Sequence, residues 1–312
     1  MIPTTCGICG EASKLAQKEV YQTFTLFECA TCHGQFWSPM KNPGSAWYTH
    51  DDRYSSRNAK PLMKPEREHR RFLERVPARG RLLDIGMGTG NFLAAAQRAG
   101  WSVVGTDFDE EALNTARSAF GLADVYPLDA VGTRAKFGDA SFDAVTFFQV
   151  LEHVEDPRAF LAEVKALLKQ GGTLSLSTPN RTFADFMKPG DKPPRHLSRW
   201  SKESLTDALK RAGFTDIVVE ELSVPWWYLI KRFHFWTRGF LSFGMVGKVA
   251  AGEVKKKTNT VQAGPSLKVR LLLIAAKAKD QILFAIPAIL LFLFLFVQNK
   301  HRLDLFAVAH KP

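Results

Sequence analysis

The stretch Arg81–Asp107, RLLDIGMGTGNFLAAAQRAGWSVVGTD, limits the folds open to this chain more than any other. A short apolar run, Leu82–Ile85, meets a glycine-rich turn, Gly86-Met87-Gly88-Thr89-Gly90. Phe92–Arg98 has the composition of a helix that Gly100 ends, and Ser102–Gly105 is a second apolar strand closing on Asp107. This order predicts the strand–turn–helix–strand unit of a parallel, doubly wound α/β sheet, with a ligand at the carboxyl ends of the strands. Residues without a Cβ let the backbone turn tightly and let a ligand lie against it, while amides at the helix start offer donors. An acidic residue ending the second strand, here Asp107, can accept both hydroxyls of a ribose. The spacing separates two nucleotide folds: a G-x-G-x-x-G fingerprint would need glycine at 91, but the chain has Asn91 there and Gly90 before it.

The pattern continues downstream. Glu110–Phe120 reads as a helix, Val125–Leu128 as a third strand ending in Asp129, and Asp143–Phe148 as a fourth, continuously apolar as a buried parallel strand should be. It runs into Gln149-Val150-Leu151-Glu152-His153. A helix over Pro157–Leu168, a fifth strand over Thr173–Ser177, a helix over Lys202–Ala212 and a sixth strand over Asp216–Glu221 follow. Ser201 is the expected N-cap of the Lys202 helix, with Ser204 at its third position and so no full capping box. Upstream, Pro61–Arg75 reads as a basic helix leading into the first strand.

All four cysteines fall in the first 32 residues as Cys6-x-x-Cys9 and Cys29-x-x-Cys32. Two thiolate pairs on tight turns make the tetrahedral sulfur set of a structural zinc ribbon, and a closed set of four leaves no position for catalysis. His33 beside the last cysteine is an alternative ligand. Cysteine usage fits a reducing compartment better than a disulfide framework, and no secretory leader is expected. The net charge of +11 is confined: residues 224–302 carry 13 basic against 2 acidic residues, and the remainder holds 29 of each sign.

Asp84-x-Gly86-x-Gly88-x-Gly90 resembles motif I of class I S-adenosylmethionine (SAM)-dependent methyltransferases. The passage from His196-Leu197 to Gly213-Phe214 resembles one common in these methyltransferases, and the Gln149–His153 run resembles the ubiquinone-biosynthesis O-methyltransferases. The resemblance covers residues 80–222 and, as a seventh strand beside the sixth, 304–309. It implies that Asp84, Gly86, Gly88 and Gly90 hold the methionine part of the cofactor, that Asp107 holds the ribose and that Phe108 lies by the adenine. It also implies that Gln149 lies beside the sulfonium and Asp129 meets the adenine amino group, the alternative for Asp129 being a turn residue. A helix such as that before the first strand covers the cofactor mouth in this fold. Some of these enzymes bind a divalent metal through Glu-x-x-Glu-His; this chain has Gln149-x-x-Glu152-His153, one carboxylate fewer, which counts against that metal dependence without deciding it. For the base that accepts a hydroxyl proton, His153 is the first candidate and His196 the second; a helix-start role is the alternative for His153.

The expected protein is therefore an α/β enzyme with a seven-stranded, mostly parallel sheet. A zinc ribbon occupies 1–36, a linker and covering helix 37–79, the SAM-binding core 80–223 and the final strand 303–312. Residues 224–302 form an insertion between the sixth and seventh strands. It opens with aromatics interleaved with Lys231, Arg232 and Arg238, the composition of an interfacial helix. It ends in Ile282–Val297, 16 residues without a charge and interrupted by Pro287. A helix of that length spans about 24 Å, short of the ~30 Å hydrocarbon layer, and Pro287 should kink it. Because both flanking strands belong to one sheet, the chain must return to the side it left. A monotopic or re-entrant anchor on the anionic, cytoplasmic face of a membrane is the expectation, ahead of a double-crossing hairpin or a soluble cap or dimer face. The expected acceptor is a lipid, quinone or lipid-linked sugar. The alternatives are a soluble enzyme of a nucleotide sugar or small metabolite, and a scaffold that has lost SAM. A nucleic-acid methyltransferase is disfavoured, because amino-group methylators need an Asn/Asp-Pro-Pro-aromatic turn where this chain has Phe148-Gln149-Val150-Leu151.

Overall fold

A computed structural model describes residues 3–44, 47, 63–76, 80–183, 191–225, 228–230, 286–298 and 300–312. The chain divides into two compact units, Met1–Leu222 with Arg302–Pro312, and Ser223–His301.

The first unit opens with three strands, β1 (Leu15–Tyr21), β2 (Phe24–Cys29) and β3 (Gln35–Ser38), paired antiparallel as a meander. Helix α1 (Arg67–Arg75) then precedes β4 (Arg81–Ile85), α2 (Asn91–Arg98), β5 (Ser102–Thr106), α3 (Glu110–Phe120), β6 (Val125–Tyr126), α4 (Ala130–Phe137) and β7 (Phe142–Phe148). A single 3-10 turn, Leu151–His153, leads to α5 (Pro157–Leu167) and β8 (Leu168–Pro179). The remaining elements are β9 (Ser198–Arg199), α6 (Lys202–Arg211), β10 (Thr215–Ser223) and β11 (Arg302–His310).

Seven of these strands form one sheet in the order β10-β11-β8-β7-β4-β5-β6. β4 runs parallel to β5 on one side and to β7 on the other, β7 runs parallel to β8, and β11 runs antiparallel to β8 with Phe306 opposite Ser177. The first strand is thus central and the chain winds away from it in both directions. This makes the carboxyl ends of β4 and β7 the switch point at which such sheets bind ligands. Leu83, Val145, Phe147 and Leu176 on these strands are fully buried, as a sheet covered on both faces requires.

The helix starts follow local chemistry. Asp109 caps α3 by accepting from Glu111, and Asp156 caps α5 by accepting from Arg158 and Ala159, with Pro157 in the first position. At α6 the expectation of an incomplete cap is corrected. Ser204 Oγ accepts from Ser201 N–H (2.9 Å) while Ser201 Oγ accepts from Ser204 N–H (3.2 Å), so a serine completes the reciprocal box that glutamate usually closes. The basic helix is also shorter at its start than expected, beginning at Arg67 rather than Pro61. Pro65 biases Lys64 away from the helical region, and Glu66 with His69 forms the cap.

A second sheet has the order β1-β2-β3-β9, its fourth strand, Ser198–Arg199, coming from the segment between β8 and α6. Cys6, Ile8, Phe27 and Phe36 of the ribbon share one apolar core with Leu151, Leu161, Trp200 and Leu205. The ribbon is therefore welded to the larger sheet.

Most of the expected insertion, including residues 231–285 with the basic-aromatic run and Lys255–Lys257, lies outside the described residues, and the expected kink at Pro287 falls at their edge. Residues 286–297 are helical, with Ala288 and Leu295 buried and Leu290, Leu293, Phe294 and Val297 exposed. Among the described residues no helix is long and apolar enough to cross a membrane.

Candidate active site

The glycine turn leaves β4 with Gly86, Gly88 and Gly90 all at positive φ (71°, 55° and 84°), backbone that an L side chain rarely adopts. Two of the three are crowded. A Cβ on Gly86 would stand 2.5 Å from Val150 Cγ2, and one on Gly90 would stand 2.6 Å from Leu122 Cδ1. Around Gly88 a Cβ would meet nothing within 4 Å, so the open side of the turn is a cradle that one methyl group would begin to fill. The N–H of Gly88 donates to Asp107 Oδ2 (2.8 Å) and the N–H of Asp109 to Asp107 Oδ1 (3.0 Å), which fixes that carboxylate at the rim. Burial raises the Asp107 pKa above the usual carboxylate value despite these donors.

Asp84 lies beneath the turn, 3% exposed, and accepts a hydrogen bond from Thr146 Oγ1 (2.7 Å) on the neighbouring strand β7. Burial pushes its pKa up to about 8, and the charge of Asp107 adds to the shift. Helix α1 lies over the start of α2 and the end of β7: His69 packs on Phe92 (5.0 Å) and Phe148 (4.9 Å), and Asn91 Nδ2 donates to Lys64 O (3.3 Å). Phe108 is 65% exposed beside Asp107, free to lie against a flat ligand. Asp129 is exposed and serves as the N-cap of α4, its Oδ1 accepting from Gly132 (2.7 Å).

The second half of the site begins where β7 ends. Gln149 is held at φ +57°, its N–H donating to Ser177 O (2.9 Å) and its Nε2 to Ser177 Oγ (3.2 Å). A non-glycine residue in this region is strained, and here the strain sits at the strand end where ligands bind. The turn that follows buries Glu152 and brings His153 to His196, ring centroids 4.9 Å apart and nearly perpendicular at 84°. Thr178 Oγ1 donates to Glu152 Oε2 (3.0 Å), and burial raises the Glu152 pKa to about 7. His153 Nδ1 lies 2.6 Å from Arg195 O, so that nitrogen carries the proton and Nε2 keeps the lone pair. Burial and then the neighbouring His196 lower the His153 pKa to about 3, and the ring stays neutral. His196 Nδ1 pairs with Asp191 Oδ1 (2.8 Å), which likewise leaves its Nε2 as the acceptor. Val150, against Gly86, ties this wall to the glycine turn.

Sequence reasoning named both histidines and missed Asp191, Thr146 and Ser177. Asp191 stands five residues before His196 in a proline-rich loop, with no period or motif to mark it, and only the folded loop brings it to the ring.

Donor atoms of Glu152, His153 and His196 lie within 4.8 Å of one another. The two-carboxylate set of the metal-dependent enzymes is nevertheless not reproduced, because Gln149 stands in the place of the second carboxylate and turns to Ser177. In the ribbon, Cys6 Sγ and Cys32 Sγ are 3.7 Å apart, and Cys9 Sγ and Cys29 Sγ 3.9 Å. Sulfurs bonded tetrahedrally at ~2.3 Å to one zinc would be spaced about 3.8 Å. The N–H groups of Ile8 and Cys9 point at Cys6 Sγ and that of Thr31 at Cys29 Sγ, as in turns that hold thiolates. His33 is not in this cluster and faces Glu203 (3.7 Å).

This strand order, with a glycine cradle on the first strand and a carboxylate ending the second, defines a class I SAM-dependent methyltransferase. The chain belongs to the methyltransferase-domain family, whose profile matches residues 55–219. A ubiquinone biosynthesis O-methyltransferase of Xanthomonas axonopodis pv. citri is 41% identical over 113 residues, 35% of this chain and 47% of that protein. A "Probable S-adenosylmethionine-dependent methyltransferase" of Mycobacterium tuberculosis is 35% identical over 158 residues, 48% of this chain and 54% of that protein. The matches thus span about half the length of these curated relatives. In fold, the crystal structure of a SAM-dependent methyltransferase from Archaeoglobus fulgidus superposes with a TM-score of 0.50 at 18% identity, covering 83% of this chain and 94% of that one.

Proposed function

We propose that the enzyme methylates an oxygen atom of a lipid, quinone or lipid-linked sugar at the cytoplasmic face of a membrane, with a structural zinc in the four-cysteine ribbon. The observation that carries the oxygen reading is the pair of imidazoles packed together beside the turn after β7, each held through Nδ1, His153 by Arg195 O and His196 by Asp191. SAM, when bound, supplies a methyl group on a sulfonium that leaves readily. Asp84 and the glycine turn would hold its methionine part, Asp107 the ribose, Phe108 and Asp129 the adenine, and Gln149 the side facing the acceptor. The chain's remaining work is to hold the acceptor oxygen in line and remove its proton. His196 Nε2 takes that proton, and the charge that appears on the ring is offset by the Asp191 carboxylate 2.8 Å away. His153, kept neutral by burial, accepts a hydrogen bond that orients the hydroxyl. The sequence ranks His153 first as base; its suppressed basicity reverses that order.

The name of the Xanthomonas relative supports a quinone-type acceptor. The exposed apolar side chains of helix 286–297 and the basic charge of residues 224–302 support a membrane surface. The test has two arms. The full chain should co-sediment with vesicles containing anionic lipid, less so at high salt, and deletion of residues 224–302 should abolish this. Labelled methyl from SAM should enter a detergent-dispersed lipid extract. Labelling of water-soluble sugars alone, with no vesicle binding, would replace this reading with that of a soluble enzyme.

A further inference from the structure

The segment carrying His196 is held between the ribbon and the turn after β7. Leu197, next to the imidazole, donates its N–H to Glu152 O (2.7 Å) in the active-site turn and accepts at its carbonyl from Trp37 N–H (2.8 Å) in the ribbon. The following two residues are β9, with Phe36 opposite Ser198 and Gln35 opposite Arg199. Arg199 is 8% exposed. Its guanidinium lies 5.3 Å over the Trp37 ring, meets Glu19 of β1 at 3.5 Å, and meets Asp191 twice: Nη2 donates to its carbonyl (2.9 Å), and Nε stands 3.1 Å from Oδ2 as a charge contact without hydrogen-bond geometry. Lys192 pairs with the same Glu19. Asp191 in turn holds His196 Nδ1. An unbroken line of charged contacts therefore runs from the ribbon surface to the proposed base.

A guanidinium is suited to this place. Its planar fork can bind a carboxylate oxygen and a carbonyl together and keep its charge when buried, and its flat face stacks on an indole. The carbonyl it binds and the carboxylate whose charge it faces both belong to Asp191, the residue that fixes the imidazole tautomer. If the ribbon merely plugged an apolar face, a buried arginine would be a poor choice, since its desolvation is compensated only by these partners.

We propose that Arg199, held by Glu19 and Trp37 of the ribbon, is a positioning residue for His196, so that the cysteine ribbon sets the orientation of the imidazole on the acceptor side of the cofactor. This inference rests on His196 as the proton acceptor. Arg199 never touches the acceptor and acts through Asp191. Removing its fork frees Asp191 to turn from the ring, and a displacement of about 1 Å in a proton acceptor can cost on the order of a hundredfold in rate.

The test uses the full chain, zinc-loaded, with nitrogen-15 in its histidines. In the wild type the His196 ring should show a single tautomer protonated at Nδ1. In Arg199→Met this signature should be lost, and in Glu19→Gln it should weaken. SAM affinity by calorimetry should stay within about twofold in both, because the glycine cradle and Asp107 are not part of this network, and labelled-methyl transfer to the lipid extract should fall about tenfold or more in Arg199→Met. Glu19 is partly exposed, so Glu19→Gln remains informative should Arg199→Met fail to fold, as loss of SAM binding would reveal. An unchanged His196 tautomer in a folded variant overturns the proposal. A separate variant, His196→Ala, isolates the reading beneath it: undiminished methyl transfer there removes His196 as base, and leaves the tautomer result to stand or fall by itself.

Discussion

Asp84 is a carboxyl group whose surroundings favour its neutral form. It lies under the glycine turn with Thr146 as its hydroxyl partner and Asp107 as a like-charged neighbour, and burial lifts its pKa to about 8. The unfolded chain releases this proton near pH 3.9. Between that value and about 8 the native state holds a proton the unfolded state has lost, so this group's contribution makes stability fall as pH rises through the window, and level off above it. Asp84→Asn keeps the shape and removes the titration. Its melting temperature should vary less steeply than the wild type's between about pH 5 and 8 in scanning calorimetry; equal slopes would mean the native carboxyl is already ionised. Single residues were legible in the sequence wherever chemistry forces a type onto a backbone position. The three glycines are of this kind, since the turn needs positive φ, and the folded chain sets Asp107 beside them through Gly88 N–H. Asp191, Thr146 and Arg199 were not legible, because their value comes from partners brought together by folding.

At the scale of elements, the turn between β4 and α2 separates folding from binding within five residues. A methyl group at position 90 would enter a space already filled by Leu122 and Ala116, whereas one at position 88 would enter open space. Both positions carry the left-handed backbone penalty of about 1–2 kcal/mol. Gly90→Ala adds overpacking, for a total of roughly 2–4 kcal/mol lost in denaturant unfolding. Gly88→Ala should lose only the backbone part, yet weaken SAM binding by about tenfold or more in calorimetry, because its Cβ occupies the cradle. Equal SAM affinity in Gly88→Ala and the wild type would place the cofactor elsewhere. The strands flanking this turn were readable because a buried parallel strand is apolar throughout. β9 was not: two residues, Ser198 and Arg199, carry no period, and their pairing with Gln35 and Phe36 spans more than 160 positions of sequence. The serine-closed cap of α6 escaped for a similar reason, the usual rule expecting glutamate where Ser204 serves.

For the first unit as a whole, the ribbon and the methyltransferase core share one interior. Cys6, Cys29 and Cys32 are buried in the same cluster as Leu151, Leu161 and Trp200, and β9 completes the ribbon sheet. Polar contacts cross the seam as well: Arg181 donates to His33 O (2.6 Å), and Arg211 pairs with Glu11. A ribbon of this size has too little apolar surface to fold alone, so the zinc proposed for its four cysteines would supply folding free energy. Were the ribbon an independent module, removing zinc would melt it separately and leave the sheet at its original melting temperature. The shared core argues for the opposite. Chelation of zinc, or Cys29→Ser, should lower the temperature of a single cooperative transition rather than add an early one, and near-ultraviolet dichroism from Trp37 and Trp200 should be lost in that same step. Two resolved calorimetric transitions in the metal-free protein, the later one unshifted, would show that the ribbon is a separable domain. The single transition would make the four cysteines determinants of the methyltransferase fold, even though they lie outside the cofactor cradle.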